Sequence, residues 1–483
     1  MTSTLAIGIL TLYFLLLIVV AHFTSKGADT NAFFTANKQS PWWLVAFGMI
    51  GTSISGVTFI SVPGDVGKVS FSYYQIILGN LVGYFIIATV LLPLYYRLNL
   101  ISIYTYLDKR FGFWSYKTGS AFFLLARTLG SAARLFLAVQ VLQLAIFDAL
   151  GIPFSVSAMV TIALIWVYTY KGGVKTILVT DTLQTFFLLT ALVLTIILIA
   201  NQLELNPSSM VSTIRASKYA QMFFFEDFSY KHYFAKDFIA GIFIAIVMTG
   251  LDQDLMQKNL TCKNIGEAQK NMFWFCCTFA VVTLLFISLG ALLYIYADKI
   301  GFAIPTKTDQ LYPMLALGGH FGTAVAVTFL LGITAATYAS SDSALTALTT
   351  AFCVDFMNIE QREEKQRNQI KHYVHIGFSV LFFLVILVFN AYNEQSIIAT
   401  VFNIAGFTYG PLLGLFAFGL FTKTPVKDRF VPYLCVLSPI LTFVIDSHSK
   451  EWLNGYQFGF EKLLLNGLIT YIGLVLLRDK RLS

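Results

Sequence analysis

Charged residues are scarce in this sequence: only 12% of its 483 residues are Asp, Glu, Lys or Arg. Soluble domains carry about 25% of such residues, because charge keeps their surface in water. Apolar residues make up 57% of the chain instead, and its mean hydropathy is +0.73. These values exclude a soluble multidomain protein and indicate an integral membrane protein whose neighbour is the lipid bilayer.

Sequence motifs of catalysis are also absent. There is no His-Glu-x-x-His, Walker loop or Gly-x-Ser-x-Gly nucleophile, so nothing supports an enzyme or an ATP-driven pump. The five cysteines have neither metal-ligand spacing nor a secreted framework, and we interpret them as packing residues. His372 and His375 have the spacing of a metal pair, but they lie in a basic stretch at the start of an apolar run and we interpret them as solvated.

The net charge of +7 does not indicate a nucleic-acid partner, because most basic residues lie in short loops between apolar runs. Basic residues in alternate loops or at the span ends beside them fall on one side of the membrane, among them Arg97, Lys109, Lys258, Arg429 and the tail at 478–481. The positive-inside rule then predicts a multi-pass protein of the cell membrane with its N-terminus outside and its C-terminus in the cytoplasm.

Apolar runs of membrane-spanning length follow one another along nearly the whole chain. The sequence therefore predicts an all-α integral membrane protein with about 13 transmembrane helices, forming a single domain that functions as a monomer. We place the spans near 4–23, 42–62, 70–96, 116–148, 153–169, 173–200, 236–258, 271–298, 321–356, 369–391, 396–422, 429–446 and 457–477.

The ninth run contains a polar stripe. Hydroxyl residues recur there at spacings of three and four, which places them on one helical face: Ser340, Ser343, Thr346 and Thr350. Asp342 lies beside them at membrane depth. An intramembrane carboxylate is a functional-site hypothesis, and oxygen ligands suit a hard cation such as sodium.

Two other runs have polar centres. The second combines glycines with hydroxyl residues at 48–58, and the seventh contains Met-Thr-Gly-Leu-Asp-Gln-Asp at 248–254. Such clusters predict broken helices whose freed carbonyls coordinate ions, although close packing through small residues is an alternative. Their separation by five spans predicts two inverted repeats, 42–200 and 236–422, with accessory helices at 4–23 and 429–477.

Other charges also fall within apolar runs. Asp181 lies about two turns into the sixth run and indicates a cation pathway open to the cytoplasm. Arg127 and Arg134 lie seven residues apart in the fourth run, so they share nearly one helical face. They either pair with internal carboxylates or bind an anionic group of a solute.

Three motifs together resemble the sodium/solute symporter family. They are Gly-Gly-x-Lys-x-x-x-x-Thr-Asp-x-x-Gln at 172–184, Ala-Ala-x-x-x-Ser-x-Asp-Ser at 335–343, and Gly-Phe-Thr-Tyr-Gly-Pro-Leu-Leu-Gly at 406–414. The resemblance covers the chain from Trp42 onward. It implies a five-plus-five inverted-repeat transporter fold and sodium-coupled secondary active import, by alternating access, of a small polar solute. That solute is expected to be a sugar, a sugar acid or another small carboxylate, moving with one or two Na+ ions.

The resemblance also implies three sets of site residues. A main sodium site between the first and eighth core helices would use Gly51, Ile54, Ala336 and Ser340, with Ala339 where a serine is usual. A second sodium or cation-release site would use Asp181, Asp342 and Ser343. Substrate-binding positions fall on Ser53, Ser55, Thr58, Phe71 and Gln75, and we add Arg134 and Thr249 beside them. A proton-coupled symporter that uses Asp181 and Asp342, and a transporter-like solute sensor, remain alternatives.

Overall fold

The computed structural model describes residues 3–25, 34–169, 173–392 and 397–479. In these ranges all regular secondary structure is helical, apart from two isolated β-bridges. Gly172, which begins one of the family motifs, and residues 480–481 of the basic tail lie outside the described residues.

The helices are numbered in chain order. The first ten are α1 (Ser3–Ser25), α2 (Trp42–Ser53), α3 (Gly56–Val69), α4 (Tyr73–Leu98), α5 (Thr105–Arg110), α6 (Phe113–Leu150), α7 (Phe154–Thr169), α8 (Gly173–Gln202), α9 (Pro207–Ala216) and α10 (Phe234–Gly250). The next ten are α11 (Gln253–Asn259), α12 (Ile265–Ile300), α13 (Leu311–Leu317), α14 (Gly322–Asp355), α15 (Glu364–Tyr392), α16 (Ile397–Thr408), α17 (Gly410–Phe421), α18 (Asp428–Ser447), α19 (Ser449–Trp452) and α20 (Lys462–Leu476).

Eight described helices are long and apolar enough to cross a membrane, and three bent pairs raise the number to as many as 11. The bent pairs are α2 with α3 (54°), α10 with α11 (69°) and α16 with α17 (47°). The shorter apolar helices α7 and α20 fall where the fifth and thirteenth spans are predicted. The all-helical membrane fold is thus confirmed.

The two broken helices predicted from polar centres are confirmed. Between α2 and α3, Ile54 and Ser55 leave the helical conformation, and Ser55 is extended (φ −75°, ψ 176°). The α10 helix ends in a π-helical turn, after which Asp252 is extended and caps α11 by accepting a hydrogen bond of 2.9 Å from the Asp254 N–H. A capping carboxylate satisfies an amide that the break would leave unpaired.

The third break, in the eleventh predicted span, was not expected. Tyr409 separates α16 from α17, and Pro411 lies in the first turn of α17. Proline has no N–H to donate and cannot continue a helix from the preceding turn without a clash. A helix that restarts at this proline is the local reason for the bend.

Helix α14 lies at the centre of the bundle. It packs against α8, α6 and α2, and its residues between 332 and 351 are all buried. The polar stripe therefore faces other helices and not lipid. His375 of α15 is buried as well, with Nε2 3.1 Å from the Thr169 hydroxyl and Nδ1 3.1 Å from the Thr349 hydroxyl. Our interpretation of this histidine as solvated was wrong, because α15 turns that face toward α7 and α14.

Candidate functional site

The break between α2 and α3 lies against two long helices. A Cβ atom at Gly56 would come within 2.2 Å of the Thr337 hydroxyl of α14, and one at Gly51 within 2.3 Å of the Thr185 hydroxyl of α8. Only glycine at these two positions lets the backbone of the broken helix come so close to α14 on one side and to α8 on the other. The broken segment is therefore held between α8 and α14, at the turn of α14 that lies between Ala336 and Ser340.

Several oxygen atoms at this break have no partner. Among the described residues, the backbone carbonyls of 51–54 accept no hydrogen bond, because the break interrupts the helical ladder. The buried hydroxyls of Ser53, Thr337 and Ser341 have no hydrogen-bond partner either. Buried oxygens without partners are costly unless water or an ion satisfies them. An all-oxygen set of this kind fits a hard cation.

The structure distinguishes two neighbouring serines on α14. Ser340 donates a 3.0 Å hydrogen bond to the Thr337 carbonyl of its own helix, and its oxygen can still accept a cation. Ser341 lies one turn after Thr337, so both share the face that meets Gly56. Sequence reasoning did not select Ser341, although this four-residue spacing could have indicated it.

The Asp181 carboxylate is bound by a lysine. Its Oδ2 atom accepts a hydrogen bond of 2.5 Å from Lys258 Nζ of α11 and one of 3.1 Å from the Thr52 hydroxyl of α2. Lys258 also donates to Thr52, and the Lys258 and Asp181 side chains are only 2% and 0% exposed. The sequence places Lys258 at the end of the seventh span, where a lysine is expected to reach solvent; instead the 69° bend after α10 turns α11, and Lys258 with it, into the protein core.

A second buried network surrounds the break after α10. Arg127 of α6 forms an ion pair with Asp254 and lies 3.7 Å from Asp252. The Ser343 hydroxyl donates to Asp254, and the Tyr409 hydroxyl donates to Asp252 at 2.5 Å. The breaks in α10/α11 and α16/α17 therefore meet at one carboxylate, and Arg127 pairs with internal acids. Asp342 accepts a 2.5 Å hydrogen bond from the Ser343 N–H.

A cavity of about 90 Å³ lies beside these networks. Five of the seven predicted substrate residues line it: Ser53, Ser55, Thr58, Arg134 and Thr249. Phe71 and Gln75 do not line this cavity. The Gln75 side chain donates to the His232 carbonyl and to Asp237, and it accepts from the Phe224 N–H, so it anchors the loop before α10.

A wider vestibule of about 740 Å³ leads toward this cavity from the face where α3 ends and α4 begins. Tyr73, Ile398 and Phe402 line both spaces and so separate them. The rings of Tyr73 and Phe402 stack, with centroids 6.3 Å apart. These two rings are a candidate gate on the vestibule side.

The opposite face is sealed by buried hydrogen bonds. Tyr95 and Tyr104 donate to the Gly250 and Leu251 carbonyls, each at 2.8 Å, and Gln253 binds the backbone of the loop between α4 and α5. At the end of α14, Asp355 accepts hydrogen bonds from Ser102, Tyr116 and Ser120. The central cavity therefore faces the vestibule and is closed on the other side.

Two broken helices, unpaired buried oxygens at one break and a cavity closed on one side are the arrangement expected of a secondary active transporter. The sequence profile of the family described as "Sodium:solute symporter family" matches residues 33–426. The chain belongs to this family. It is therefore a sodium-coupled, multi-pass membrane transporter and not an enzyme.

Individual relatives agree with this assignment. The chain is 24% identical over 475 residues to the sodium/sialic acid symporter NanT of Aliivibrio fischeri, covering 94% of this chain and 89% of that protein. It is 23% identical over 422 residues to the sodium/sialic acid symporter SiaT of Proteus mirabilis, covering 84% and 82%. A solved structure of a Na+-coupled sialic acid symporter, described as substrate-bound and outward-open, matches with a TM-score of 0.82, 20% identity and coverage of 98% and 97%. That likeness supports the inverted-repeat fold.

Proposed function

We propose that this symporter imports a small anionic solute, a sugar acid or another small carboxylate, and that Arg134 binds its carboxylate. The observation that carries this proposal is the contrast between two arginines lining the central cavity. Arg127 is paired with Asp252 and Asp254. Arg134 has no ion pair or hydrogen bond among the described residues. A guanidinium at membrane depth needs an anionic partner, and a carboxylate matches its fork of N–H donors.

The charges of the vestibule support an anionic solute. Lys68, Lys231 and Lys307 line it against two carboxylates, Asp65 and Asp309. Burial raises the pKa of Asp309 to about 6, so this carboxyl loses its charge in mildly acidic solution. A vestibule with excess positive charge concentrates anions at its mouth. The relatives named for sialic acid transport a solute that is itself a sugar acid, which agrees with this chemistry.

The proposed sodium site lies at the break between α2 and α3. The carbonyls of Gly51, Ile54 and Ala336 and the Ser340 hydroxyl remain the proposed ligands, and the unpaired Ser341 hydroxyl extends the set. Ser341 compensates for Ala339, which supplies no side-chain oxygen. A sodium ion bound there joins the broken helix to α14 and stabilises the state in which the vestibule is open.

The position of the proposed sodium site explains how sodium transport is coupled to solute transport. We place the vestibule face outside the cell, which puts the N-terminus outside and the sealed face in the cytoplasm. Rocking of the two repeats, 42–200 and 236–422, opens the sealed face and separates α2 from α14. The sodium ligands then no longer meet, so ion and solute leave together. The Ser53 and Ser55 side chains connect the two sites, because they line the solute cavity at the break itself.

The number of sodium ions determines how far the solute can be concentrated. Each ion supplies ~2.3 kcal/mol from a ~100 mV potential and ~1.4 kcal/mol from a ~tenfold gradient. A monoanionic solute cancels the charge of one ion. Two ions then leave about 5 kcal/mol, whereas one leaves about 1.4 kcal/mol, enough for roughly tenfold accumulation.

The proposal is tested with purified protein and a panel of sugar acids, monocarboxylates, neutral sugars and polyols, each with sodium and with choline. We expect sodium-dependent thermal stabilisation by a carboxylate. Arg134→Met should abolish that stabilisation, whereas Arg134→Lys should retain part of it, because lysine keeps the charge and loses the fork geometry. Arg215, an exposed residue of α9, provides the control Arg215→Met.

Three results would contradict the proposal. Stabilisation by neutral sugars alone would exclude an anionic solute. Carboxylate binding that survives in Arg134→Met would exclude this arginine as the anchor. Uptake into proteoliposomes that is unchanged when choline replaces sodium at fixed pH would favour proton coupling instead.

A further inference from the structure

All three predicted ligands of the second cation site, Asp181, Asp342 and Ser343, already have partners inside the protein. The Asp181 carboxylate holds the Lys258 ammonium at 2.5 Å and the Thr52 hydroxyl at 3.1 Å, all on its Oδ2 atom. The Ser343 hydroxyl donates to Asp254. The site therefore already contains a cation, supplied by the chain.

This ammonium occupies a position that links three helices. Lys258 belongs to α11, Asp181 to α8 and Thr52 to α2, and all three side chains are buried. A buried carboxylate requires a compensating positive charge. A sodium ion and a lysine ammonium both meet that requirement, but the ammonium is tethered and cannot leave with the solute.

We propose that Lys258 is the resident cation of the Asp181 site and replaces a second sodium ion, so that this symporter binds and couples to one sodium. This inference rests on the proposed function, because it assumes the sodium site at the break between α2 and α3. It concerns the number of ions and not the identity of the solute.

The remaining oxygen of Asp181 explains why the lysine matters. Asp181 Oδ1 is buried and has no hydrogen-bond partner. A sodium ion bound to it would share one carboxylate with the ammonium, so two like charges would lie close together in a poorly screened interior. When the ammonium is removed, both carboxylate oxygens become available and the unbalanced charge attracts an ion.

A further consequence concerns charge movement. Lys258 moves with α11 during the cycle but remains in the protein, so its charge never crosses the membrane. With one sodium and a monoanionic solute, transport is therefore electroneutral.

Counting bound sodium tests this inference without knowledge of the solute. Purified protein is equilibrated with saturating radioactive sodium, and the ions bound per molecule are measured. We expect one ion for the wild type, two for Lys258→Met, and one for the double variant Lys258→Met, Asp181→Asn, which lacks the carboxylate. Lys462→Met is the control, because it breaks another, partly buried lysine–aspartate pair, with Asp446 at 2.8 Å, in the accessory helices. It should bind one ion.

The outcomes separate this inference from the proposed function. No sodium bound to the wild type contradicts the proposed sodium site itself. Two ions bound to the wild type overturn the role of Lys258 and leave the proposed function intact. One ion in both the wild type and folded Lys258→Met also overturns it, since the vacated carboxylate would then not recruit an ion. If Lys258→Met does not fold, the wild-type count decides alone.

Discussion

Gly56→Ala should displace the proposed sodium ligands by adding a single methyl group. The new Cβ would lie 2.2 Å from the Thr337 hydroxyl and 3.0 Å from Ile333 Cδ1, both on α14. Ordinary contacts begin near 3.4 Å, so α3 and α14 must separate by about 1 Å, since packed interiors have little free space. The break would then move away from the α14 oxygens.

The expected loss follows from this displacement. Overpacking of a tight interface costs about 1–3 kcal/mol, and metal–ligand distances tolerate only about 0.2 Å of error. If that strain opposes sodium binding, the sodium affinity falls by about 5-fold to 140-fold, at about 1.4 kcal/mol per factor of ten. Helix propensity acts in the opposite direction, because alanine favours a helix by ~1 kcal/mol over glycine. A loss of affinity therefore cannot come from propensity.

Sodium titration of thermal stability or of radioactive sodium binding measures this effect. Gly377→Ala on α15 is the matched control, because a Cβ there would have no atom within 4 Å. Thr337→Ala removes the clashing hydroxyl, so the double variant should regain an affinity within about threefold of Thr337→Ala alone, as expected for directly coupled residues. An unchanged sodium affinity in Gly56→Ala, or a loss that persists in the Thr337→Ala background, would refute the proposed geometry.

Two more predictions concern carboxyl groups at the two faces. Burial raises the pKa of Asp309 to about 6. Ionising this buried carboxyl group therefore costs the folded protein stability at neutral pH, but not at a pH where the group is protonated. Asp309→Asn should melt at a higher temperature than the wild type at pH 7.5, and this difference should shrink toward pH 4. A higher melting temperature that does not depend on pH would contradict this assignment. Asp355→Asn weakens an acceptor shared by Ser102, Tyr116 and Ser120, so the sealed face should open more often. The buried Cys353 thiol should then react with maleimide severalfold faster than in the wild type, whereas the rate of the buried Cys435 thiol serves as the internal control. Equal Cys353 rates in the variant and the wild type would show that Asp355 does not hold this face closed.

The sequence by itself determined the membrane class, the all-helical fold and the two expected breaks. Hydropathy sums over about twenty residues, so single substitutions barely affect the position of a span. Glycines and hydroxyls at 48–58 weaken the helix and supply polar atoms, and both effects are local. The motif around Asp342 indicated the helix that proved to be the most buried of the eight long apolar helices among the described residues. Five of seven substrate positions lie together: Ser53, Ser55, Thr58 and Thr249 lie in or beside the breaks, and Arg134 of α6 faces the same cavity.

Only the tertiary structure decided which charged residues meet. Lys258 lies close to Lys263 in the sequence and there resembles a loop residue, but the 69° bend before α11 directs it to Asp181, 77 positions away. Arg127 and Arg134 share one face of α6, yet Asp252 and Asp254 pair with only one of them. Periodicity identifies the face of a helix and not the neighbour that packs against it. For that reason the arginine left for a solute and the lysine beside Asp181 became visible only in the folded bundle.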